Sequence, residues 1–385
     1  MSSSTPPTFY LCLDCGGTKT AAVLSNSDGS IAARALGGGS NVSYLGIEAF
    51  LAVVRSVTAS VVALALNIPP PVLPVTDGQD ASGLQVRPFT IKAAWLGVSG
   101  CDSPAMAQKL YAPVAELLSL PTPPCPNLII SNDTHLLAAP VRTLPDVDSA
   151  VAIIGGTGSI VVSFREGQDA GAPLIELART GGYGWILGDE GGGFDVGRTA
   201  IRALCQQRDA ESAGAPAQAP LENGRPLLRD RVLERFGIED ILDTLGIIHL
   251  PDPTGPIPVP TDGKYNYAHH AREKRLSTLS PLVFQAALED GDPLALSVLK
   301  DCAGKLAAHI DSVLAKPELG ATDRRVLASG AVACFGGSLV AIDAYRALVL
   351  DALKDLGHSF AHVEVVQDAA AAGAAALVAS WKDRA

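Results

Sequence analysis

A short apolar run, a turn rich in glycine and threonine, and a second apolar run occur twice in this chain, about 140 residues apart. In the first copy Phe9 to Leu13 leads into Asp14, then Cys15, Gly16, Gly17, Thr18, Lys19 and Thr20, and resumes at Ala21 to Leu24. In the second, Ala150 to Ile154 is followed by Gly155, Gly156, Thr157, Gly158 and Ser159, then Ile160 to Phe164. Each copy reads as two strands closed by a hairpin, and turn residues at Ser27-Asp28-Gly29 and Arg165-Glu166-Gly167 follow. Ile31 to Ala35 adds a third strand to the first copy. A P-loop or a dinucleotide fingerprint needs a helix directly after its glycines, so that phosphate meets a helix N-terminus. Here the glycines close a hairpin, which excludes both. The repeat instead predicts an internal duplication, with two domains facing each other across a cleft.

Between the copies lie a helical stretch, Ile47 to Leu66, and two strands, Ala93 to Val98 and Leu128 to Ser131, the latter ending at Asn132-Asp133. Strands alternating with helices predict an α/β architecture. Pro69 to Pro88, Ala210 to Pro226 and Pro251 to Gly263 read as loops or insertions, and the alanine-rich tail Asp368 to Arg384 reads as a helix. A length of 385 residues predicts more than one domain, and 48% apolar against 18% charged residues supplies material for a sizeable core. A net charge of -11 has the wrong sign for wrapping phosphate backbones, so nucleic acid is not an expected partner.

A mean hydropathy of +0.25 raises the question of a membrane span. The uncharged run Val326 to Ile342 is short of the ~20 residues a spanning helix needs and is broken by Gly330, Gly336 and Gly337, so it reads as buried core. Met1 to Thr8 has no basic segment or long apolar segment of the kind a secretory signal carries, and a cytoplasmic protein is expected. The seven cysteines are dispersed and odd in number, which predicts free thiols. Cys12 and Cys15 form a CxxC spacing, but on a strand they face opposite sides, and no second pair completes a zinc site.

A hairpin rich in glycine turns backbone N–H groups toward a concavity, and the hydroxyls of Thr18, Thr20, Thr157 and Ser159 are candidate donors to phosphate oxygens. Two such hairpins could clamp one polyphosphate. Asp14, at the end of the first strand, suits Mg²⁺ held through water, or simply initiates a turn. Asp133 also ends a strand, where a carboxylate can take a proton from an attacking hydroxyl; its alternative role is a helix N-cap. The glycine-dense segment from Thr180 to Gly193 holds Trp185, Ile186 and Leu187 beside Asp189 and Glu190, which points to a backbone pressed against a small polar ligand rather than a linker.

Taken in order, the run Asp14 to Thr20, Ser40-Asn41, Gly97 to Gly100, Asn132-Asp133, Gly156 to Ser159, Gly181 to Gly191 and Ala328 to Ala331 resembles the N-acetylglucosamine kinases of the BadF/BadG/BcrA/BcrD ATPase group. The resemblance implies the sugar kinase, actin and chaperone fold: α/β, with two duplicated actin-like ATPase (ribonuclease H-like) domains around a central ATP and sugar cleft. The expected domains are 1–147 plus a C-terminal helix at about 370–385, and 148–369. The implied activity is ATP-dependent phosphorylation of the 6-hydroxyl of N-acetylglucosamine, with Mg²⁺ as cofactor. Gly16, Gly17, Thr18 and Lys19 would hold the ATP phosphates on one side, and Thr157, Gly158 and Ser159 on the other. Asp14 would face Mg²⁺, Gly330 and Ala331 would lie near adenosine, and Asp133 would be the general base. Asn41, Gly182, Tyr183, Gly184 and Asp189 would contact the sugar. Tyr183 stands where the family has a Trp and Ile160 where the mammalian kinase has an Asn, which leaves glucosamine or another hexose open as substrate. An ATPase activator without a sugar site is the alternative of a different class, and it would need cluster cysteines that the scattered thiols here do not supply. Amino sugar and ATP are the expected partners, with no membrane partner and a homodimer left open.

Overall fold

The computed structural model describes residues 6–71, 73, 89–121, 126–167, 172–255 and 265–382. Most of the expected loop at Pro69 to Pro88, residues 256–263 of that at Pro251 to Gly263, the first five residues, the last three and Cys125 lie outside the described residues.

The first repeat forms β1 (Thr8–Cys15), β2 (Lys19–Asn26) and β3 (Ile31–Gly38), an antiparallel meander. Helices α1 (Val42–Leu45) and α2 (Ile47–Leu66) lead to β4 (Thr90–Val98), and α3 (Pro104–Leu117) leads to β5 (Leu128–Ser131). Strands β4 and β5 are added parallel to β1, which gives a five-stranded sheet in the order β3-β2-β1-β4-β5. Then comes the short α4 (Thr134–Leu137).

The second repeat builds the same arrangement from β6 (Ser149–Gly155), β7 (Ser159–Arg165) and β8 (Ile175–Gly181), joined later by β9 (Ala331–Gly336) and β10 (His362–Val365). Its order, β10-β9-β6-β7-β8, is the first sheet's order read from the other edge, with the same antiparallel and parallel pairings. The expected duplication is therefore present in the topology itself. Between β8 and β9 the chain forms α5 (Gly193–Ser212), α6 (Leu228–Phe236), α7 (Asp243–Ile248), α8 (Arg272–Ser277), α9 (Ser280–Gln285) and α10 (Pro293–Val313), and it closes with α11 (Asp343–Asp355) and α12 (Ala369–Lys382). The loop expected from Ala210 begins later, because α5 continues to Ser212.

Strand alternation sorts the apolar residues into layers. On β1, Leu11 and Leu13 face α2, where they pack with Phe50, Val54 and Val61, whereas Tyr10 and Cys12 face the other way. On β6 and β9, Val151, Ile153, Ala333 and Phe335 join the helical layer of the second half, and Ala150, Ala152, Val332 and Cys334 face inward. These inward faces of both sheets share one core with α4 and with Ala370, Ala374 and Leu377 of α12. The small side chains let two sheets and a helix meet at close range. Cys12 and Cys15 do point to opposite faces, and both are buried free thiols. Helix α2 is long and apolar enough to cross a membrane, but one of its faces is packed on β2 and β3.

Candidate functional site

Register brings the acids together. Asp14 of β1 lies opposite Gly97 of β4, and Gly97 lies opposite Ser131 of β5, so Asp14 and the Asn132-Asp133 pair lie at the same end of two parallel strands with β4 between them. Gly97 between them has a steric reason: a Cβ there would come within 2.5 Å of Leu136 and 3.2 Å of the Asp133 Cα. The carboxyl ends of parallel strands are where α/β sheets carry their ligands. Burial, with Asp133 nearby, Lys19 opposing and Asp368 adding to it, lifts the Asp14 carboxyl to about 6. Burial also raises the Asp133 carboxyl, against a hydrogen bond from the Ser99 side chain that favours its charged form.

Asp133 begins α4 without capping it. The Asn132 side chain does that work, its Oδ1 accepting from the Thr134 N–H at 3.0 Å and the Thr134 hydroxyl at 2.8 Å. The Asp133 carboxylate is thereby left for other chemistry. Ser99, which sequence reasoning passed over inside the Gly97 to Gly100 motif, links two expected site residues: Asn41 Nδ2 donates to Ser99 Oγ at 3.1 Å, and Ser99 in turn bonds Asp133. Asn41 Oδ1 accepts from the N–H groups of Ser43 and Tyr44, capping α1. Asn41 is therefore largely engaged within the protein, and its position is fixed by the cap.

A cavity of about 330 Å³ opens at this point. Asn41, Ser99, Asp102 and Asp133 line it from the first half, and Ile160 and Arg179 from the second. Gly182 borders Ile160 and Arg179, since a Cβ on it would come within 2.9 Å of the one and 3.1 Å of the other. Tyr183 and Gly184 are exposed, and neither they nor Asp189 line the cavity. Asp189 Oδ1 instead accepts the backbone N–H of Ser159 at 3.2 Å.

The two hairpins differ from expectation in their hydroxyls. Gly17, Thr18, Lys19 and Thr157 are exposed, and Gly16 and Gly158 are half-buried. Thr20 is buried and donates to the Gly38 carbonyl at 2.7 Å while sharing a hydrogen bond with Ser40 at 2.6 Å, so it is not a phosphate donor. Ser159 donates its hydroxyl to the Glu190 carbonyl at 2.7 Å. With its N–H on Asp189 as well, Ser159 ties the second hairpin to the glycine-dense segment rather than offering groups to phosphate. The first N–H groups of α5, on Gly193 and Phe194, bond the carbonyls of Gly156 and Thr157.

Gly330 and Ala331, expected near adenosine, lie at the start of β9, away from the second hairpin. Parallel pairing of β6 with β9 sets Ala331 beside Ser149, at the start of β6, and Gly336 beside Ile154, at its end. The residues next to the second hairpin are thus Gly336 and Gly337. Gly337 has φ +99°, and Leu339 N–H reaches the Gly155 carbonyl at 2.9 Å. The sequence signal was present, two adjacent glycines closing an apolar run, but the glycine-alanine pair six residues earlier resembled the motif equally well.

For Mg²⁺, the described residues hold no preformed cluster of three acidic, His or Cys ligands. The fit is of another kind: a half-buried carboxylate whose proton affinity is raised by burial and two neighbouring acids is short of positive charge. Mg²⁺ commonly takes one or two carboxylates and completes its octahedron with water and substrate phosphate.

Residues 11–375 match the BadF/BadG/BcrA/BcrD ATPase family. The chain belongs to that family. Among curated proteins similar to this chain is the N-acetyl-D-glucosamine kinase of Dictyostelium discoideum, 26% identical over 309 residues that cover 80% of each chain. The N-acetylmuramic acid/N-acetylglucosamine kinase of Clostridium acetobutylicum is 27% identical over 190 residues, about half of each protein (49% and 48%). Among solved structures, a candidate N-acetylglucosamine kinase from Porphyromonas gingivalis superposes with a TM-score of 0.54 at 20% identity, over 97% of this chain and 99% of that one. One from Chromobacterium violaceum gives 0.50 at 19% identity with the same coverage. The fold of this family member is accordingly the duplicated actin-like ATPase fold, and ATP is the nucleotide the family implies.

Proposed function

We propose that the protein is an ATP-dependent phosphotransferase that phosphorylates the 6-hydroxyl of N-acetylglucosamine, giving N-acetylglucosamine 6-phosphate and ADP. The observation that carries this reading is the convergence of Asp14 and Asp133 at one sheet end, beside a cavity of about 330 Å³ bounded by both halves. That volume sits at the small end of the ~300–1,000 Å³ usual for ligand pockets and suits a monosaccharide. Asp133, its basicity raised by burial, takes the proton of the sugar hydroxyl as that oxygen forms its bond to the γ-phosphorus, and the bond to the β-γ bridging oxygen breaks to release ADP. Ser99 holds the carboxylate in aim. Gly16, Gly17, Thr18 and Lys19 hold phosphate oxygens on one side, and Thr157 and Gly158 on the other. Asp14 would hold Mg²⁺, and the ion would neutralise phosphate charge. The loop from Gly336 to Leu339 takes the adenosine side in place of Gly330 and Ala331.

On the sugar side, Asn41, Gly182 and Arg179 border the bound ring, with Tyr183, Gly184 and Asp189 beside it on the glycine-dense segment. Residues 1–147 with the C-terminal helix form one domain and 148–369 the other. The acetamido group is favoured over a free ammonium because the two curated relatives that carry the comparison both act on N-acetylated sugars by name. An assay of ADP release over N-acetylglucosamine, glucosamine, N-acetylmannosamine and glucose tests the reading. Turnover with none of them overturns the kinase, and preference for glucosamine or glucose overturns only the N-acetyl assignment.

A further inference from the structure

A second cavity, of about 530 Å³, adjoins the first. The two share Asp102, Asn132, Thr134 and Arg179, so they are neighbouring compartments of one cleft with a common wall. A monosaccharide positioned at Asp133 fills the smaller compartment and leaves the larger one unexplained.

The larger compartment has two kinds of surface. Tyr111, Ile130 and Val162 give it apolar wall. Gln108 and Glu176, with Arg179 at the junction, supply amide, carboxylate and guanidinium groups, which together both donate and accept hydrogen bonds. His135 lines the same compartment and is nine-tenths buried.

We infer that the cleft accepts an amino sugar bearing a second pyranose ring, the reacting ring lying in the small compartment and the glycosidically linked ring in the large one. This rests on the reading of the cleft as an amino-sugar kinase site. A pyranose presents C–H faces to apolar and aromatic wall and hydroxyls at its edge, and this lining offers both. Charge argues against an acidic extension: two carboxylates, Asp102 and Glu176, face one guanidinium, Arg179.

The test compares N-acetylglucosamine with its β-1,4-linked dimer, N,N'-diacetylchitobiose, on the full-length protein. Gln108→Trp and Glu176→Trp fill the large compartment from its exposed rim without disturbing buried packing. The wild type should use the dimer with kcat/KM within about tenfold of the monomer, and each tryptophan should lower the dimer's value by about tenfold or more while leaving the monomer's unchanged. Failure of the wild type to phosphorylate the dimer, or equal losses for both sugars in both variants, overturns the inference. Preference for N-acetylmuramic acid over the dimer, abolished by the same variants, also overturns it and makes the compartment an acid site led by Arg179. Calorimetric titration of both sugars separates this result from failure of the kinase reading, because it registers whether the second ring adds affinity even where no sugar turns over.

Discussion

Asp189 Oδ1 and the Ser159 backbone N–H are hydrogen-bonded at 3.2 Å, which fastens the glycine-dense segment to the second hairpin. Asp189 reaches this position with φ +66°, a conformation uncommon for a residue with a side chain, and the surrounding contacts hold it there. Gly158 makes the approach feasible, since a Cβ on it would come within 2.3 Å of the Asp189 carboxylate.

Asp189→Ala should therefore weaken ATP as well as sugar, whereas the resemblance implied only a sugar contact for this residue. Gly158→Ala, which displaces the same carboxylate, should reproduce that combined loss. Calorimetry with each substrate separately checks this; unchanged nucleotide affinity in both variants would detach Asp189 from the hairpin's function.

Asp133→Asn should fold and bind sugar, because the side chain makes no capping bond to α4. Its kcat should fall by about 10²- to 10⁴-fold, the usual contribution of a positioned general base. Turnover near the wild-type rate would remove Asp133 from the chemistry. Ser99→Ala should lower kcat by a smaller factor, because it removes the bond that orients the carboxylate while leaving the base.

Gly17→Val should leave the fold intact, since a Cβ there meets nothing within 4 Å and the backbone does not have a positive φ. Any loss is then a loss of close approach by the nucleotide. Affinity for a non-hydrolysable ATP analogue should drop while sugar affinity holds, and an unaltered ATP affinity would take the first hairpin out of the site.

His135 gives a pH dependence. Burial, partly offset by hydrogen bonding to the Leu174 and Asn132 backbones, lowers its pKa from 6.5 to about 4. The unfolded chain therefore binds a proton that the native imidazole refuses between those values. The stabilisation is fully present above pH 6.5 and is lost as pH falls toward 4. Denaturant unfolding at pH 7 and pH 4.5 should show the wild type losing more stability than His135→Leu over that interval, by up to about 3 kcal/mol. Equal losses would mean that the histidine titrates normally in the native state.

What the sequence determined was local. Apolar runs interrupted by glycines fix strands and hairpins through backbone sterics and alternation, and the repetition of that pattern at Phe9 and Ala150 carried the duplicated architecture. Helix α2 and the C-terminal helix were equally legible, being long runs without internal proline. The third strand of the second copy, β8, with Glu176 and Arg179 breaking its apolar pattern, was not. Tertiary structure decided which polar groups remain available. Thr20 and Ser159 carry hydroxyls suited to phosphate, yet one faces Ser40 and Gly38 and the other faces Glu190, because partners 18 to 31 residues away in sequence are brought to hydrogen-bond distance by sheet pairing and by the fold of the glycine-dense segment. The same holds for Gly330 and Gly336: both follow from composition as turn candidates, but only the parallel register of β6 and β9 sets which of them lies beside the second hairpin. Spacing along a chain constrains neighbours within a few residues, and a ligand site assembled from both halves is set by strand register and packing, which no local pattern encodes.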